Sequence, residues 1–247
     1  MEEQLLREGE ALEDLQYKGF RIIQHEGKYR FTSDSVLLAN FFGGRRGERM
    51  VDLCAGSGVV GLLIAAKFPI AHMTLLEIQA DLSDMSRRSV LYNRMEARMS
   101  VVCASVQEAP ALFPAGFDAV CVNPPYQRKG SCFPNVSREL ALCRHELALT
   151  LRELTEASGR LLKTGGRFGI VYPAERMSEL FTAMTAAGIE PKRACLVCAR
   201  EGLEPHLLLC EGRRGGRPGL RVSVRSAAQL TAPDSAEGDC IQADDMR

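Results

Sequence analysis

The chain has 247 residues, of which 46% are hydrophobic and 25% are charged. These fractions are close to those of an average globular domain, and they exclude a disordered, collagen-like or low-complexity chain. Basic and acidic residues number 31 each, so the formal net charge is zero. A zero net charge excludes a protein that depends on non-specific affinity for nucleic acid, because that affinity comes from a surplus of positive charge. A local basic patch is still compatible with this balance.

Neither a membrane span nor a secretory signal is expected. The longest apolar run, Val59–Ala66, is far shorter than the roughly 20 residues that cross a bilayer. The N-terminus is acidic and lacks the basic and apolar regions of a signal peptide. The nine cysteines are odd in number, and several lie within apolar runs, as reduced, buried thiols do. We therefore expect a cytoplasmic protein with free cysteines and no membrane partner.

Residues 1–45 are predicted to form an extension that packs on the main domain. Asp34 is a natural N-cap for an apolar helix, and Gly43-Gly44 is a natural end for it. A turn at Glu26-Gly27 is expected to close a hairpin just before this helix. The predicted elements are a polar helix (Glu2–Asp14), two hairpin strands (Gly19–Ile23 and Lys28–Thr32) and the apolar helix (Ser35–Phe42).

Residues 46–212 alternate between strand-like and helix-like segments. This alternation predicts a doubly wound α/β domain with a seven-stranded, mostly parallel sheet covered on both faces. Such sheets bind ligands beyond the carboxyl ends of their strands, where the strand order reverses. The predicted strands are Arg49–Leu53, His72–Leu76, Met99–Cys103, Phe117–Val122, Arg167–Tyr172, Lys192–Ala199 and His206–Cys210. The predicted helices are Val59–Phe68, Gln79–Asn93, Gln107–Leu112, Arg138–Ser158 and Ala174–Ala187.

Residues 213–247 change character twice. The stretch from Gly212 to Ser226 holds five arginines and no acidic residue, whereas Ala227–Arg247 holds five acidic residues and one arginine. The basic stretch, with Arg213 and Arg214 foremost, is either an RNA-binding edge or a solvated segment. The acidic tail is predicted to be disordered.

A glycine-rich turn follows the first strand of the alternating region. Gly56, Gly58 and Gly61 have the spacing G-x-G-x-x-G, and Glu77 lies 21 residues after Gly56, at the end of the next strand. This is the pattern of a dinucleotide-binding loop with an acid for the ribose hydroxyls. The pattern fits both NAD and S-adenosylmethionine. The alternative is a tight strand-to-helix turn that binds no ligand.

Asp52 distinguishes the two cofactors. It lies four residues before the first glycine, where a carboxylate would repel a bound pyrophosphate but would suit a ligand that carries a sulfonium and an ammonium group. Ile78, next to Glu77, is expected to offer an apolar wall to the adenine. The cofactor-binding prediction therefore comprises Asp52, Ala55, Gly56, Gly58, Glu77 and Ile78.

Asn123-Pro124-Pro125-Tyr126 follows the fourth predicted strand of the alternating region. The two prolines restrict the backbone and remove two N–H donors, Asn123 offers an amide oxygen, and Tyr126 offers a flat ring. These groups suit a planar substrate with an NH2 group, whose hydrogens would be accepted by Asn123 and by the Pro124 carbonyl while Tyr126 stacks on the plane. Two such acceptors favour the positively charged nitrogen of the transition state. An ordinary loop is the alternative.

The chain resembles a class I S-adenosylmethionine-dependent methyltransferase of the Asn-Pro-Pro-Tyr group. More closely, it is similar to the bacterial tRNA (adenine-N6)-methyltransferase family that acts on valine tRNA. The resemblance spans residues 12–220 and includes Phe20–Gln24, Tyr29–Ala39, Arg144–Glu146, Leu162–Phe168 and Pro173–Arg176.

That resemblance implies S-adenosylmethionine as cofactor, S-adenosylhomocysteine as product and RNA as partner. It also implies cofactor contacts from Ser105, Val106 and Asn123, and a supporting role for Asp34 near the methionine end. This sequence departs from the family in having Ser105 where aspartate is usual, and in having the acidic Glu201–His206 where a more basic segment is expected.

Two further interpretations concern substrate and metal. Arg128 and Lys129 follow the proline turn and are expected either to contact phosphate from a lid or to lie on a solvated loop. No metal site is expected, because Cys195-x-x-Cys198 is the only CxxC and no second pair of ligands lies at a suitable spacing.

Three alternatives to RNA methylation remain open on the sequence. A protein glutamine presents the same NH2 group, as in release-factor methylation, but that family has roughly 70–80 residues of helical domain before the cofactor loop, and only about 50 precede it here. A nicotinamide oxidoreductase would share the glycine loop. A non-catalytic RNA-binding protein could use the same scaffold.

Overall fold

A computed structural model describes residues 5–27, 32–125 and 149–231. The strands are β1 (Glu10–Asp14), β2 (Arg21–His25), β3 (Arg49–Leu53), β4 (His72–Glu77), β5 (Met99–Cys103), β6 (Phe117–Val122), β7 (Leu162–Pro173), β8 (Ile189–Cys198), β9 (Pro205–Arg214) and β10 (Arg221–Ser226). The helices are α1 (Ser33–Phe42), α2 (Val59–Lys67), α3 (Ala80–Tyr92), α4 (Ala109–Leu112), α5 (Leu151–Leu161), α6 (Met177–Ala186) and α7 (Ala227–Thr231). A single 3-10 turn, Ala174–Arg176, leads into α6.

Eight strands form one sheet in the order β10-β8-β9-β7-β6-β3-β4-β5. All neighbouring pairs are parallel except the two that involve β9. The strand order reverses between β3 and β6, so the loops after these two strands diverge at a switch point, where open α/β sheets bind ligands. The predicted doubly wound, mostly parallel sheet is confirmed, and four of its strands agree with prediction to within one residue.

The sheet is buried on both faces because alternate residues of its central strands enter two different cores. Met50 and Cys121 pack in a core with α1 and α2, whereas Val51 and Val120 pack in a second core with α5 and α6. This alternation is the period of two that a pleated strand imposes. No helix in the described residues is long and apolar enough to cross a membrane.

The predicted strand count of seven is wrong by one. Arg221–Ser226 forms β10, which pairs in parallel with β8. This segment was predicted, from its arginines, to be either an RNA-binding edge or a solvated segment. The alternating Val222 and Val224 are a strand signal, and backbone pairing with β8 satisfies the strand even though both valines are more than half exposed. The chain continues into α7, so the prediction of disorder from Ala227 is wrong for Ala227–Thr231. Residues 232–247 lie outside the described part.

The N-terminal hairpin is real but has different strands from those predicted. β1 pairs antiparallel with β2 over Glu10–Asp14 and Arg21–His25, so the polar helix predicted over Glu2–Asp14 is wrong from Glu10 onward. Pairing with β2, and packing of Leu12 against Ile23, override helix propensity there. The other predicted hairpin strand falls mostly on residues 28–31, outside the described residues.

Two helix predictions also need correction. α1 begins at Ser33 with Thr32 as its N-cap, so Asp34 is not the cap but a buried residue of the first turn. The long helix predicted over Arg138–Ser158 is seen only from Leu151, where Thr150 and Glu153 form a capping box that starts α5. Residues 126–148 are not described. The domain division at residues 45 and 212 stays a prediction, and β9 runs past the second boundary to Arg214.

Candidate functional site

The glycine-rich turn after β3 has the left-handed backbone that its glycines permit. Gly56 has φ +58° and Gly58 has φ +95°, a region that side chains disfavour. A Cβ at Gly58 would lie 2.8 Å from Leu75 Cδ1, whereas a Cβ at Gly56 would meet no atom within 4 Å in the described structure. Gly58 is therefore needed for packing, while Gly56 borders open space in which a ligand can approach the backbone.

Asp52 is buried at the end of β3 and holds the next helix. Its Oδ2 accepts a hydrogen bond of 2.9 Å from the backbone N–H of Gly61 in the first turn of α2. The residue is 1% exposed, and Oδ1 has no partner within the described residues. Burial, reinforced by the nearby negative charge of Glu77, raises the pKa of Asp52 to about 7, against the opposing effect of the Gly61 bond. An unsatisfied carboxylate oxygen at this depth favours a positively charged ligand.

Glu77 and the glycine loop meet as the spacing predicted. Glu77 Oε2 accepts from the Gly56 N–H at 2.8 Å, and Oε1 accepts from the Gln79 N–H at 2.9 Å. Burial raises the pKa of Glu77, and these backbone donors oppose the rise. Ile78 is 44% exposed, which is unusual for a large apolar residue beside a buried acid. An acid and an exposed apolar face thus stand next to the loop, as a ribose and adenine site requires.

Two polar side chains outside the predicted site brace this loop. Gln24 of β2 donates from Nε2 to the hydroxyl of Ser57, and Ser86 of α3 donates to the Gly56 carbonyl at 2.7 Å. Both Gln24 and Ser86 are buried. No spacing in the sequence predicts them, because their partners lie about 30 residues away along the chain.

Asn123 is predicted from the sequence to accept a hydrogen bond from the substrate, and its side-chain amide is held by a hydrogen bond. Its Nδ2 donates a 3.0 Å hydrogen bond to the hydroxyl of Ser35 on α1, and Ser35 is 5% exposed. This bond assigns the NH2 end of the amide to Ser35 and leaves Oδ1 as the acceptor end. Pro124 is buried and Pro125 exposed. Tyr126 lies outside the described residues, as do Arg128 and Lys129.

Ser105 and Val106 lie after β5, at the same edge of the sheet. The Ser105 hydroxyl donates to Glu108 Oε2 at 2.7 Å and accepts from the Glu108 N–H at 3.3 Å. The bond from the hydroxyl, and a second bond of 2.8 Å from the Ser105 N–H to the same carboxylate oxygen, lower the pKa of Glu108. Ser105 thus closes the turn that precedes α4, whose N-cap is Glu108, a structural role that its position after a strand did not predict. The Val106 side chain is buried.

Arg213 and Arg214 are not near Asn123. They end β9, which runs against the other strands, so they lie at the amino edge of the sheet, level with Arg167 and Ile189. Arg214 donates to the Leu162 carbonyl, which begins β7 at that edge. Arg213 and Arg214 therefore lie at the edge of the sheet opposite Asn123, whereas Arg128 and Lys129 are outside the described residues.

The described residues contain no group of three His, Cys, Asp or Glu side chains placed to hold a metal ion. Cys195 and Cys198 are both buried in β8 as free cysteines. Their burial suits a packing role.

Comparison with known proteins places these features in one family. The sequence model described as "Methyltransferase small domain" matches residues 27–187. A tRNA1(Val) (adenine(37)-N6)-methyltransferase of Tolumonas auensis is 27% identical over 194 residues, which are 78% of this chain and 80% of the relative. The enzyme of the same name from Shewanella woodyi is 30% identical over 166 residues, 66% of this chain and 67% of the relative.

A solved structure supports the fold. The crystal structure of a predicted O-methyltransferase from Agrobacterium tumefaciens superposes with a TM-score of 0.63, at 21% identity, over 78% of this chain and 86% of that one. The family match covers the glycine loop, Glu77 and the Asn123-Pro124-Pro125 turn. The chain belongs to the methyltransferase small domain family and is a methyltransferase.

Proposed function

We propose that this methyltransferase uses S-adenosylmethionine to methylate the N6 amino group of an adenine in tRNA. The observation that carries the proposal is the anchored amide of Asn123. It stands at the carboxyl end of β6, directly before Pro124 and Pro125, and Ser35 holds its NH2 end. An amide whose donor end is occupied presents its oxygen to a substrate NH2 group rather than its own NH2.

The residues around the glycine loop fit S-adenosylmethionine. The orphaned Oδ1 of Asp52 suits the positive charge of a sulfonium or ammonium group, open space borders Gly56, and Ile78 is exposed beside the carboxylate of Glu77. A carboxylate as deep as that of Asp52 disfavours the pyrophosphate of NAD. When bound, this cofactor supplies an electrophilic methyl group on its sulfur. Asp52, Gly56, Glu77 and Ile78 would hold it, with Ala55, Gly58, Ser105 and Val106 contributing at the same edge.

Asn123 and Pro124 act on the amino group that is methylated. The amide oxygen of Asn123 and the carbonyl oxygen of Pro124 each accept one of its hydrogens, which aligns the nitrogen lone pair with the methyl group. Both acceptors gain strength as the nitrogen becomes positive, so they stabilise the transition state more than the bound substrate. Positioning supplies a large share of the rate in such an in-line transfer. Tyr126 is proposed to stack on the base.

The choice of adenine in tRNA is supported by the names of the relatives, which are tRNA1(Val) (adenine(37)-N6)-methyltransferases over about four fifths of their length or somewhat less. A planar base with an exocyclic amine also satisfies both acceptors. The proposal includes action in the cytoplasm, and the free cysteines of the described residues are compatible with that reducing compartment.

Transfer of a labelled methyl group tests the proposal. The protein is incubated with radiolabelled S-adenosylmethionine and either unmodified valine tRNA or a version with guanine in place of the target adenine. We expect label in N6-methyladenosine in the first RNA and none in the second. Asn123→Ala should reduce transfer by at least about a hundredfold, the scale of losing a transition-state hydrogen bond, and should leave S-adenosylhomocysteine affinity nearly unchanged.

The control is Gln16→Ala, which removes an exposed amide from the turn between β1 and β2, and should leave transfer unchanged once the protein is shown to be folded. Label on a protein glutamine and none on RNA would overturn the substrate assignment. Full transfer by Asn123→Ala would overturn the assignment of the acceptor.

A further inference from the structure

The amino edge of the sheet, opposite the edge with Asn123, carries an open cavity of about 370 Å³. It lies where β3 and β6 begin and where β9 ends. Five basic and two acidic side chains line it, together with the Thr164-Gly165-Gly166 turn of β7. The cavity is therefore a polar site with a surplus of positive charge in a protein whose net charge is zero.

The two acidic side chains are already paired with two of the basic ones. Glu48 binds Arg167 at 2.7 Å, and Asp118 binds Lys163 at 2.7 Å. Arg167 is 4% exposed and also donates to the Phe42 carbonyl at 3.1 Å. These pairs build the floor and wall of the cavity, and their charges cancel.

Three arginines remain, which we term the amino-edge arginine cluster: Arg45, Arg46 and Arg213. Within the described residues their guanidinium groups form no hydrogen bond or ion pair. Partial burial and the positive charge of Arg167 lower the pKa of Arg45, and the nearby carboxylates of Glu211 and Glu48 oppose this effect. Guanidinium groups held together without counter-ions favour an oxyanion, since their N–H forks match phosphate oxygens.

The shape of the cavity favours the phosphodiester of a long chain over a small phosphorylated molecule. A small-molecule site is usually concave, lined mostly by apolar groups and closed around its ligand. This cavity is open, and it is lined by charged side chains and by the backbone of glycine residues. Among the described residues, no aromatic or large apolar side chain lines it, so it lacks a platform on which a base could stack.

We infer that the amino-edge arginine cluster binds the sugar-phosphate backbone of the RNA substrate at a point remote from the methylated base. The inference rests on the proposed function. The six residues of β6 separate the two edges, a span of roughly 20 Å at about 3.3 Å per residue. One RNA can reach both edges only if it extends well beyond the target loop, so this site would read the length and shape of the RNA and not its sequence.

The test measures binding of the full-length valine tRNA and of its isolated anticodon stem-loop over about 50–200 mM salt. The variants are the double variant Arg45→Glu with Arg46→Glu, on an exposed turn, and Arg213→Gln, which keeps a polar side chain in β9. The matched control is Arg87→Glu, an exposed charge reversal on α3. Thermal unfolding of each variant checks that it is folded.

For full-length tRNA we expect the double variant to lose about tenfold or more in affinity at roughly 100 mM salt. The slope of log affinity against log salt should fall by about two, one for each phosphate contact removed. Arg213→Gln should reduce the slope by about one, and Arg87→Glu should leave it unchanged. The short stem-loop should show a much smaller loss, because it does not reach the amino edge.

Equal salt slopes for the double variant and Arg87→Glu would overturn the inference. An equal loss of affinity for the short and full-length RNAs would also overturn it, because it would indicate a long-range effect of the changed net charge and not a specific site. Failure of wild-type protein to bind tRNA would also overturn it. The proposed function is read separately, from methyl transfer. Cluster-dependent binding without transfer would overturn the proposed function alone, and transfer without cluster-dependent binding would overturn this inference alone.

Discussion

The hydroxyl group of Ser35 accepts a hydrogen bond from the NH2 end of the Asn123 amide, and we expect this bond to favour the orientation in which the amide oxygen meets a substrate. The two residues are 88 positions apart, and they meet because α1 packs beside the strands that precede the proline turn. An amide without this bond can rotate by half a turn and present its NH2 group, which repels the hydrogens of a substrate amine. We therefore assign Ser35 a positioning role for Asn123.

Ser35→Ala should lower kcat by about ten- to a hundredfold, the range of a lost positioning contact, and should change the KM for S-adenosylmethionine little. Steady-state methyl transfer with both substrates varied separates these effects. Ser33→Ala, an exposed hydroxyl two residues earlier on the same helix, is the control and should behave as wild type. Loss of cofactor affinity equal to the loss of kcat would contradict a role through Asn123.

We expect Asp52 to make cofactor binding depend on pH. Its pKa is raised from 3.8 to about 7 by burial, so in the unliganded protein its contribution to stability is lost as the pH rises through about 7. A cationic ligand favours the ionised form, so S-adenosylmethionine should bind more weakly at pH 6 than at pH 8 and should release a proton on binding at pH 6. Calorimetry in two buffers of different ionisation enthalpy measures this. Asp52→Asn should bind weakly with no such pH dependence; a retained dependence would contradict the assignment.

At the scale of elements, the N-terminal hairpin is joined to the main domain by buried polar contacts. Arg88 of α3 binds both carboxylate oxygens of Glu10 on β1, at 2.5 and 2.7 Å, with side chains 12% and 5% exposed. On the next strand, Ile23 donates its N–H to Ser89 at 3.0 Å, and Gln24 reaches Ser57 in the cofactor loop. The hairpin therefore connects α3 to the cofactor loop through buried polar contacts.

Glu10→Ala should reduce the free energy of unfolding by about 3 kcal/mol, because it leaves the buried Arg88 with Asp84 as its remaining ion-pair partner, besides a hydrogen bond to the Leu5 carbonyl. Arg88 lowers the pKa of Glu10, so the stabilisation exists above the ordinary value of 4.5 and disappears as the pH falls through the lowered one. Urea unfolding of wild type and variant at neutral and acidic pH measures both effects. Glu96→Ala, at an exposed position, should change the free energy of unfolding little. An equal loss of stability in the two variants would contradict the stabilising role of the Glu10–Arg88 ion pair.

For the whole molecule, cofactor binding and stability are linked. A ligand that binds only the folded chain stabilises it by about 2.7 kcal/mol at a hundred times its Kd. For a chain of this size that corresponds to a rise in Tm of about 5–11 °C. We expect S-adenosylhomocysteine to produce such a rise and NADH to produce none, because Asp52 disfavours a pyrophosphate. A thermal shift with NADH in place of S-adenosylhomocysteine would restore the oxidoreductase alternative.

The sequence alone determined the fold class, the glycine loop with Asp52 and Glu77, and the Asn123 turn. These follow from local patterns: strand and helix periodicity, glycines where the backbone turns sharply, and polar residues directly after apolar strands. The carboxyl ends of parallel strands meet at one edge, so residues far apart in the chain can be assigned to one site from their positions after the strands.

Only the tertiary structure decided the contacts of Ser35, Gln24 and Ser86, the pairing of β1 with β2, and the place of β10. It also separated Arg213 from Asn123 and gathered Arg213 with Arg45 and Arg46 at the opposite edge. Most of these depend on which elements pack together in three dimensions, and the hydrogen bonds of Ser35, Gln24 and Ser86 join residues about 30 to 90 positions apart. Local propensity does not encode such pairings, because they arise from packing of the whole chain.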